Sequence, residues 1–244
     1  MTHAARTRGL RQPFWGLVCV AMLAGCNETN TRANGPPTEP FTLSSLAKSD
    51  IGRVIEVHVR EAREYMRTLT EKLYRRNPRE LAKSAHPDMN ENIARLFDSA
   101  PGRRFPELGD ATGTEAISLA LSPGFEGDRV FGFMAGLSSM IMASYRNKTE
   151  FYILDTVDPQ GLYNSARNIE IAVWKLEHDL DPSGEPWLYS NSRPGEVENL
   201  SFERLFGKLI AVQDTMAVIA AGKYNRIITR AVQNIASAVF LPVF

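Results

Sequence analysis

The sequence predicts an all-α fold: a single compact, bundle-like domain of several helices over residues 50–244, behind a flexible N-terminal tether. Three observations predict it. Apolar residues recur at spacings of three and four, the period of a helix buried on one face, rather than at the strand period of two. Helix-starting signatures precede those stripes: Asp88 and Thr112 each stand three residues ahead of a Glu, and Asp158 is followed by Pro159. Finally, 43% hydrophobic and 9% aromatic residues are enough to fill a core, which excludes wholesale disorder.

The first helix is expected between Ile51 and Asn77. Ile51, Ile55, Ala62, Tyr65, Leu69 and Leu73 fall on one face, with His58 in the same stripe. The other face pairs Glu56 with Arg60, Arg60 with Glu64, Arg67 with Glu71 and Glu71 with Arg75. Such i,i+4 pairs contribute ~0.2–0.5 kcal/mol each and describe a solvated face. The stripe is too short for the three or four heptads of a coiled coil.

Asn77-Pro78 restarts the chain, because Pro is accepted in the first turn of a helix. Asp88 caps a helix carrying Ile93, Leu96 and Phe97, and Thr112 caps one carrying Ile117, Ala120 and Leu121. Ser122-Pro123-Gly124 stops the latter. Asp128 caps the next, expected from Arg129 to about Arg146.

That helix is uncharged from Val130 to Tyr145, with Gly132 and Gly136 in a GxxxG arrangement and Met134, Met140 and Met142. A membrane span needs about 20 apolar residues, so the stretch reads as a central buried helix. The glycines then permit close helix approach. The methionines fill irregular core space or line a hydrophobic ligand cavity.

Phe151–Leu154 reads as a short strand or an extended connector. Asp158-Pro159 starts a helix striped by Leu162, Ala166, Ile169, Val173 and Leu176. Phe202, Leu205, Leu209, Val212, Met216 and Ile219 stripe another, which Gly222 breaks. Ile228, Ala231, Ile235 and Val239 form the last. The apolar terminus Phe240-Leu241-Pro242-Val243-Phe244 packs on the domain, on a partner or on a membrane surface.

Residues 1–26 are an address. Arg6, Arg8 and Arg11 precede an uncharged, mostly apolar run from Phe14 to Ala24, too short to span a bilayer. The run ends in Leu23-Ala24-Gly25-Cys26. This tetrad resembles the lipobox of bacterial lipoproteins: an aliphatic residue, two small residues that let the chain lie extended in a signal peptidase, and the Cys that is acylated. The resemblance covers this segment alone. It implies cleavage before Cys26, diacylglycerol on its thiol and an acyl chain on its new amino group. Two or more acyl chains hold a protein stably to a bilayer. Asn27 stands where an Asp favours inner-membrane retention in Gram-negative lipoproteins, so the outer membrane, facing the periplasm, is the implied address.

Processing changes the charge and the chemistry. Removing residues 1–25 leaves 219 residues with 25 basic and 28 acidic side chains. The resemblance implies that Cys19 leaves with the signal and that Cys26 is consumed by lipid, so that thiolate catalysis, thiolate metal sites and disulfides are not expected of the mature chain. The balanced charge excludes a strongly basic nucleic-acid-binding protein. Residues 27–48 are rich in Asn, Thr, Gly, Pro and Ser, the composition of a linker.

Catalytic motifs are lacking. His58, His86 and His178 are far apart and in no metal-ligand spacing. There is no G-x-S-x-G, Walker A, G-x-G-x-x-G or EF-hand pattern. Asp155, Asp158, Tyr163, Arg167 and Glu170 offer carboxylates for acid–base work, or a helix cap and helix-surface pairs. Leu180–Asn199 is a long loop holding Trp187-Leu188-Tyr189, a candidate contact with a partner or a pin that holds the loop down. Arg103 and Arg104 are a candidate anion contact or pair with acids such as Glu107.

The expectation is therefore a lipid-anchored cell-envelope protein, held to the bilayer through Cys26, that serves as a non-enzymatic binding or accessory module, with an envelope protein as its candidate partner. No cofactor is expected beyond the covalent lipid. The alternatives are a carrier of a lipid or other hydrophobic ligand, built on the Met-rich helix, and an envelope hydrolase using Asp155, Asp158 or Glu170.

Overall fold

In a computed structural model, residues 49–192, 195–229 and 239–243 are described. The chain enters the domain at Ser49, whose hydroxyl accepts the Gly52 N–H (3.1 Å) and caps helix α1, Asp50–Arg76. There follow α2 (Pro78–Leu81), α3 (Met89–Phe97), a 3₁₀ turn (Pro106–Leu108), α4 (Gly113–Ala120), α5 (Arg129–Ser144), α6 (Pro159–His178) and α7 (Ser201–Tyr224). Among the described residues there is no strand, only an isolated bridge between Leu180 and Pro186. The all-α class is thus the observed one.

Helix α5 is the centre. Fourteen of its sixteen residues are buried, which accounts for the absence of charge after Arg129. Asp128 caps it by accepting the Phe131 N–H (2.9 Å). α4 packs on α5 at the glycines: a Cβ on Gly136 would sit 2.7 Å from the Gly113 carbonyl and the Ile117 nitrogen, and one on Gly132 3.0 Å from the Ala120 Cβ. The Arg129 guanidinium donates to the carbonyls of Ala120 (2.6 Å), Ser122 (2.8 Å) and Phe125 (2.6 Å), closing the turn between the two helices. Met134, Met140 and Met142 are buried in the same core as Phe131, Phe133 and Leu137.

α6 and α7 form a second close pair, and α1 lies against both α5 and α7. Gln213 of α7 is fully buried and links three helices. Its Oε1 accepts from the Tyr145 hydroxyl (2.5 Å), and its Nε2 donates to the hydroxyls of Ser144 (3.2 Å) and Ser165 (2.6 Å). α7 is apolar and long enough to cross a membrane by length and composition. Phe202, Phe206, Leu209 and Met216 instead enter the core.

The C-terminal residues lie along α6. Asn168 accepts the Leu241 N–H and donates to its carbonyl (both 2.7 Å), and Asn164 donates to the Pro242 carbonyl (2.6 Å). Gly161 leaves room for the Val243 carbonyl. Residues 239–243 therefore pack on the domain.

Some local expectations shift. The buried face of α1 runs through Gly52, Ile55, Val59, Ala62, Met66, Leu69 and Leu73. His58 and Tyr65 sit at its edge, with Lys208 of α7 over the Tyr65 ring (5.1 Å). The face of α7 is likewise turned by one residue, through Phe206, Gln213 and Ala217 rather than Leu205, Val212 and Ile219. Thr112 makes no side-chain cap; Gly113 begins α4 with φ +58° and its N–H donates to Ser139 Oγ (2.7 Å). Residues 151–154 are a turn-containing connector. α7 passes Gly222 and ends at Asn225 in the left-handed region (φ 50°). The helix expected over Ile228–Val239 falls largely on residues outside those described, as do residues 1–48.

Candidate functional site

The segment between α6 and α7 is held by residues at the ends of α1 and α5. Asp181 opens it with a tight turn: its Oδ1 accepts from Ser183 N (2.8 Å), Ser183 Oγ (2.5 Å) and Glu185 N (3.1 Å), while Gly184 takes φ +84°. The Ser183 hydrogen bond holds the Asp181 carboxyl below its ordinary range. The Arg129 guanidinium lies over the Trp187 ring (3.9 Å to the ring centre), and Leu188 is fully buried.

Tyr189 is held by its backbone. The Asn77 side chain accepts the Tyr189 N–H (2.7 Å) and donates to its carbonyl (2.8 Å). Arg79 lies over the Tyr189 ring (5.3 Å), and the Tyr189 hydroxyl donates to Glu185 (3.2 Å). Arg76 donates to the Asn191 carbonyl (3.2 Å) and pairs with Glu196. The aromatic triplet thus pins the segment, and one side of it remains open.

That open side is a surface cleft of about 690 Å³. Leu176, Pro186 and Leu188 supply apolar lining, and Glu177, Glu185, Tyr189, Asn191, Ser192 and Glu196 supply polar lining. The Asn191 amide nitrogen donates both to Glu177 (2.5 Å) and to Glu203 (2.7 Å). Burial, and then the neighbouring Glu203, push the Glu177 carboxyl up. Glu177, in the cleft lining, offers carboxylate oxygens as acceptors for a ligand's donors.

The other sequence candidates do not converge. Arg103 donates to Ser99 Oγ (3.0 Å) and Arg104 to the Asp110 carbonyl (2.9 Å); it is Arg95 that pairs with Glu107. Asp155 pairs with Lys148, which holds its carboxyl down. Asp158 caps α6 and faces Arg226 (3.5 Å). Arg167 binds Asp214 (2.6 Å) and Glu170 (3.2 Å) beside Tyr163, at a groove of about 540 Å³ between α6 and α7. Burial raises the Glu170 carboxyl. His58, His86 and His178 are held by Val54 O (2.8 Å), Glu91 (2.5 Å) and Trp174 (stacked at 4.6 Å).

Glu177, Asn191 and Glu203 escaped sequence reasoning. Acids at the two helix ends bracketing the long loop were the visible hint; nothing marked Asn191. Leu23, Ala24, Gly25 and Cys26 lie outside the described residues. No family model, no curated protein and no solved structure matches this chain.

Proposed function

We propose that this protein is a bacterial lipoprotein, anchored by diacylglycerol and an N-acyl chain on Cys26, whose helical domain serves the cell envelope as a non-enzymatic binding module. The tetrad Leu23-Ala24-Gly25-Cys26 behind a basic, then apolar leader carries the reading. The cleft beside Tyr189 and Asn191 supports the binding role, because it joins apolar lining to a polar rim on a segment pinned at several points. An envelope protein is the partner proposed for it.

Membrane fractionation tests the address. In a Gram-negative host the wild type is expected with the outer membrane after density-gradient separation, and Asn27→Asp is expected to move to the inner membrane. A wild-type protein recovered free of both membranes overturns the reading.

A further inference from the structure

We infer that the end of the domain at which the chain enters from Cys26 is a bilayer-contact face, with Ile153, Leu154 and Ile227 as its inserting side chains. The inference rests on the lipid-anchored reading above and adds an orientation to it.

Three segments meet at this end. The Phe151 carbonyl lies against Gly52 in the first turn of α1, where a Cβ would come within 2.7 Å, and the Phe151 N–H donates to Glu56 (2.8 Å). The connector then leads into α6 at Pro159. Gln160 of the first turn of α6 exchanges hydrogen bonds with the Thr229 backbone (2.8 and 3.1 Å), and Asp158 faces Arg226. The 151–157 connector, the 225–229 segment and the entry to α1 thus share one end.

The connector is split in its burial. Phe151 and Val157 are each 1% exposed and fix it to the core. Ile153 and Leu154 between them are 67% and 91% exposed, and Ile227 is 94% exposed. Single exposed aliphatics are ordinary. Three at loop tips on the end that receives a lipid tether have a defined occupant.

The chain between anchor and domain supplies the argument for a bilayer. Asn27–Ser49 is 23 residues of linker composition, and a flexible chain of that length has a reach of about 25 Å. A domain tethered on that length is held near the lipid surface. Most charges of its entry face stand in opposite-sign pairs, Arg53 with Asp50 (3.8 Å), Lys148 with Asp155 and Arg226 with Asp158, and the exposed Glu150 accepts from the Tyr152 hydroxyl (2.9 Å). Arg146 remains exposed for lipid phosphates. The consequence is directional. α1 is about 40 Å long at 1.5 Å per residue, and its far end carries Arg76 and leads into Asn77, which hold the cleft segment. Docking by the entry face presents the cleft away from the membrane.

The test uses the full-length, processed protein purified with its lipid and reconstituted in vesicles of equal parts phosphatidylethanolamine and phosphatidylglycerol. Leu154→Cys, Ile227→Cys and, at the opposite end, Ser183→Cys each carry an environment-sensitive fluorophore. Acylation is verified on the same preparations by labelled palmitate. The probes at 154 and 227 are expected to shift to the blue and to be quenched by lipid-borne nitroxide at least about two-fold more than the probe at 183. Acylated protein whose three probes are quenched alike, or not at all, overturns the docking face and leaves the anchor standing. A blue shift at 154 without lipid quenching that grows with the protein-to-lipid ratio assigns the face to a second copy and also overturns it. Unlabelled protein refutes the anchor itself.

Discussion

The Asn77 side chain forms a two-bonded clamp on the Tyr189 backbone, accepting its N–H at 2.7 Å and donating to its carbonyl at 2.8 Å. Asn77 is buried and also donates to the Leu73 carbonyl (2.9 Å), so it ends α1 and fixes the cleft segment with the same amide. Truncating it takes away the partner of the partly buried Tyr189 N–H and carbonyl, while the Leu73 carbonyl keeps the residue 77 backbone N–H. Asn77→Ala is expected to destabilise the domain by about 2–4 kcal/mol in urea titration and to speed hydrogen exchange at Tyr189. Unchanged exchange there would show that the clamp does not hold the segment.

Asp128 makes stability depend on pH. Burial raises its carboxyl to about 6, against hydrogen bonds from Phe131 N–H and the Tyr74 hydroxyl (2.7 Å) that act the other way. The acid is therefore harder to ionise folded than unfolded. Between about pH 4 and pH 6 the native state holds a proton the unfolded state has lost, so this group's contribution falls as pH rises, by about 3 kcal/mol in all. Asp128→Asn keeps the cap and removes the titration. Its stability is expected to match wild type near pH 4 and to exceed it by up to that amount above pH 7. Parallel pH profiles of the two proteins would contradict the assignment.

The approach of α4 to α5 needs a glycine at 136. In Gly136→Ala the new methyl meets backbone of α4 at 2.7 Å, which cannot rotate away. The expected loss is about 1–3 kcal/mol, read as a lowered Tm. Gly132→Ala meets side chains alone, those of Ala120 (3.0 Å), Leu108 (3.3 Å) and Phe125 (3.6 Å), and is expected to cost less. Reversal of that order would show that the helices separate more easily at 136 than their backbones suggest.

At the cleft, a photo-crosslinkable residue in place of Ser192 is expected to give a discrete adduct in intact envelopes. The same residue in place of Glu150, at the entry end, is expected to give none of that mass. Equal adducts from both positions would remove the cleft from the binding role.

Class and most helix starts were legible in the sequence because they are set locally. Asp88, Asp128 and Asp158 each cap the helix expected of them, and an uncharged stretch with glycines four apart could hardly be other than a packed central helix. The phase of α1 was not legible, since Val59 and Met66 compete with His58 and Tyr65 for the same stripe, and only the placement of α7 decides between them. The buried amides Asn77, Asn168 and Gln213 were invisible for a related reason. Each is polar, and its burial is understood only from partners 45 or more residues away along the chain. The cleft carboxylate Glu177 belongs to the same kind: it shares the Asn191 amide with Glu203 of α7, 26 residues on.

The account depends most on Cys26. Cells grown with labelled palmitate are expected to incorporate it into the wild-type protein, whose mature chain begins at Cys26, and to leave Cys26→Ala unlabelled and uncleaved. Equal labelling of both, or an unlabelled wild type that retains residues 1–25, would contradict the account.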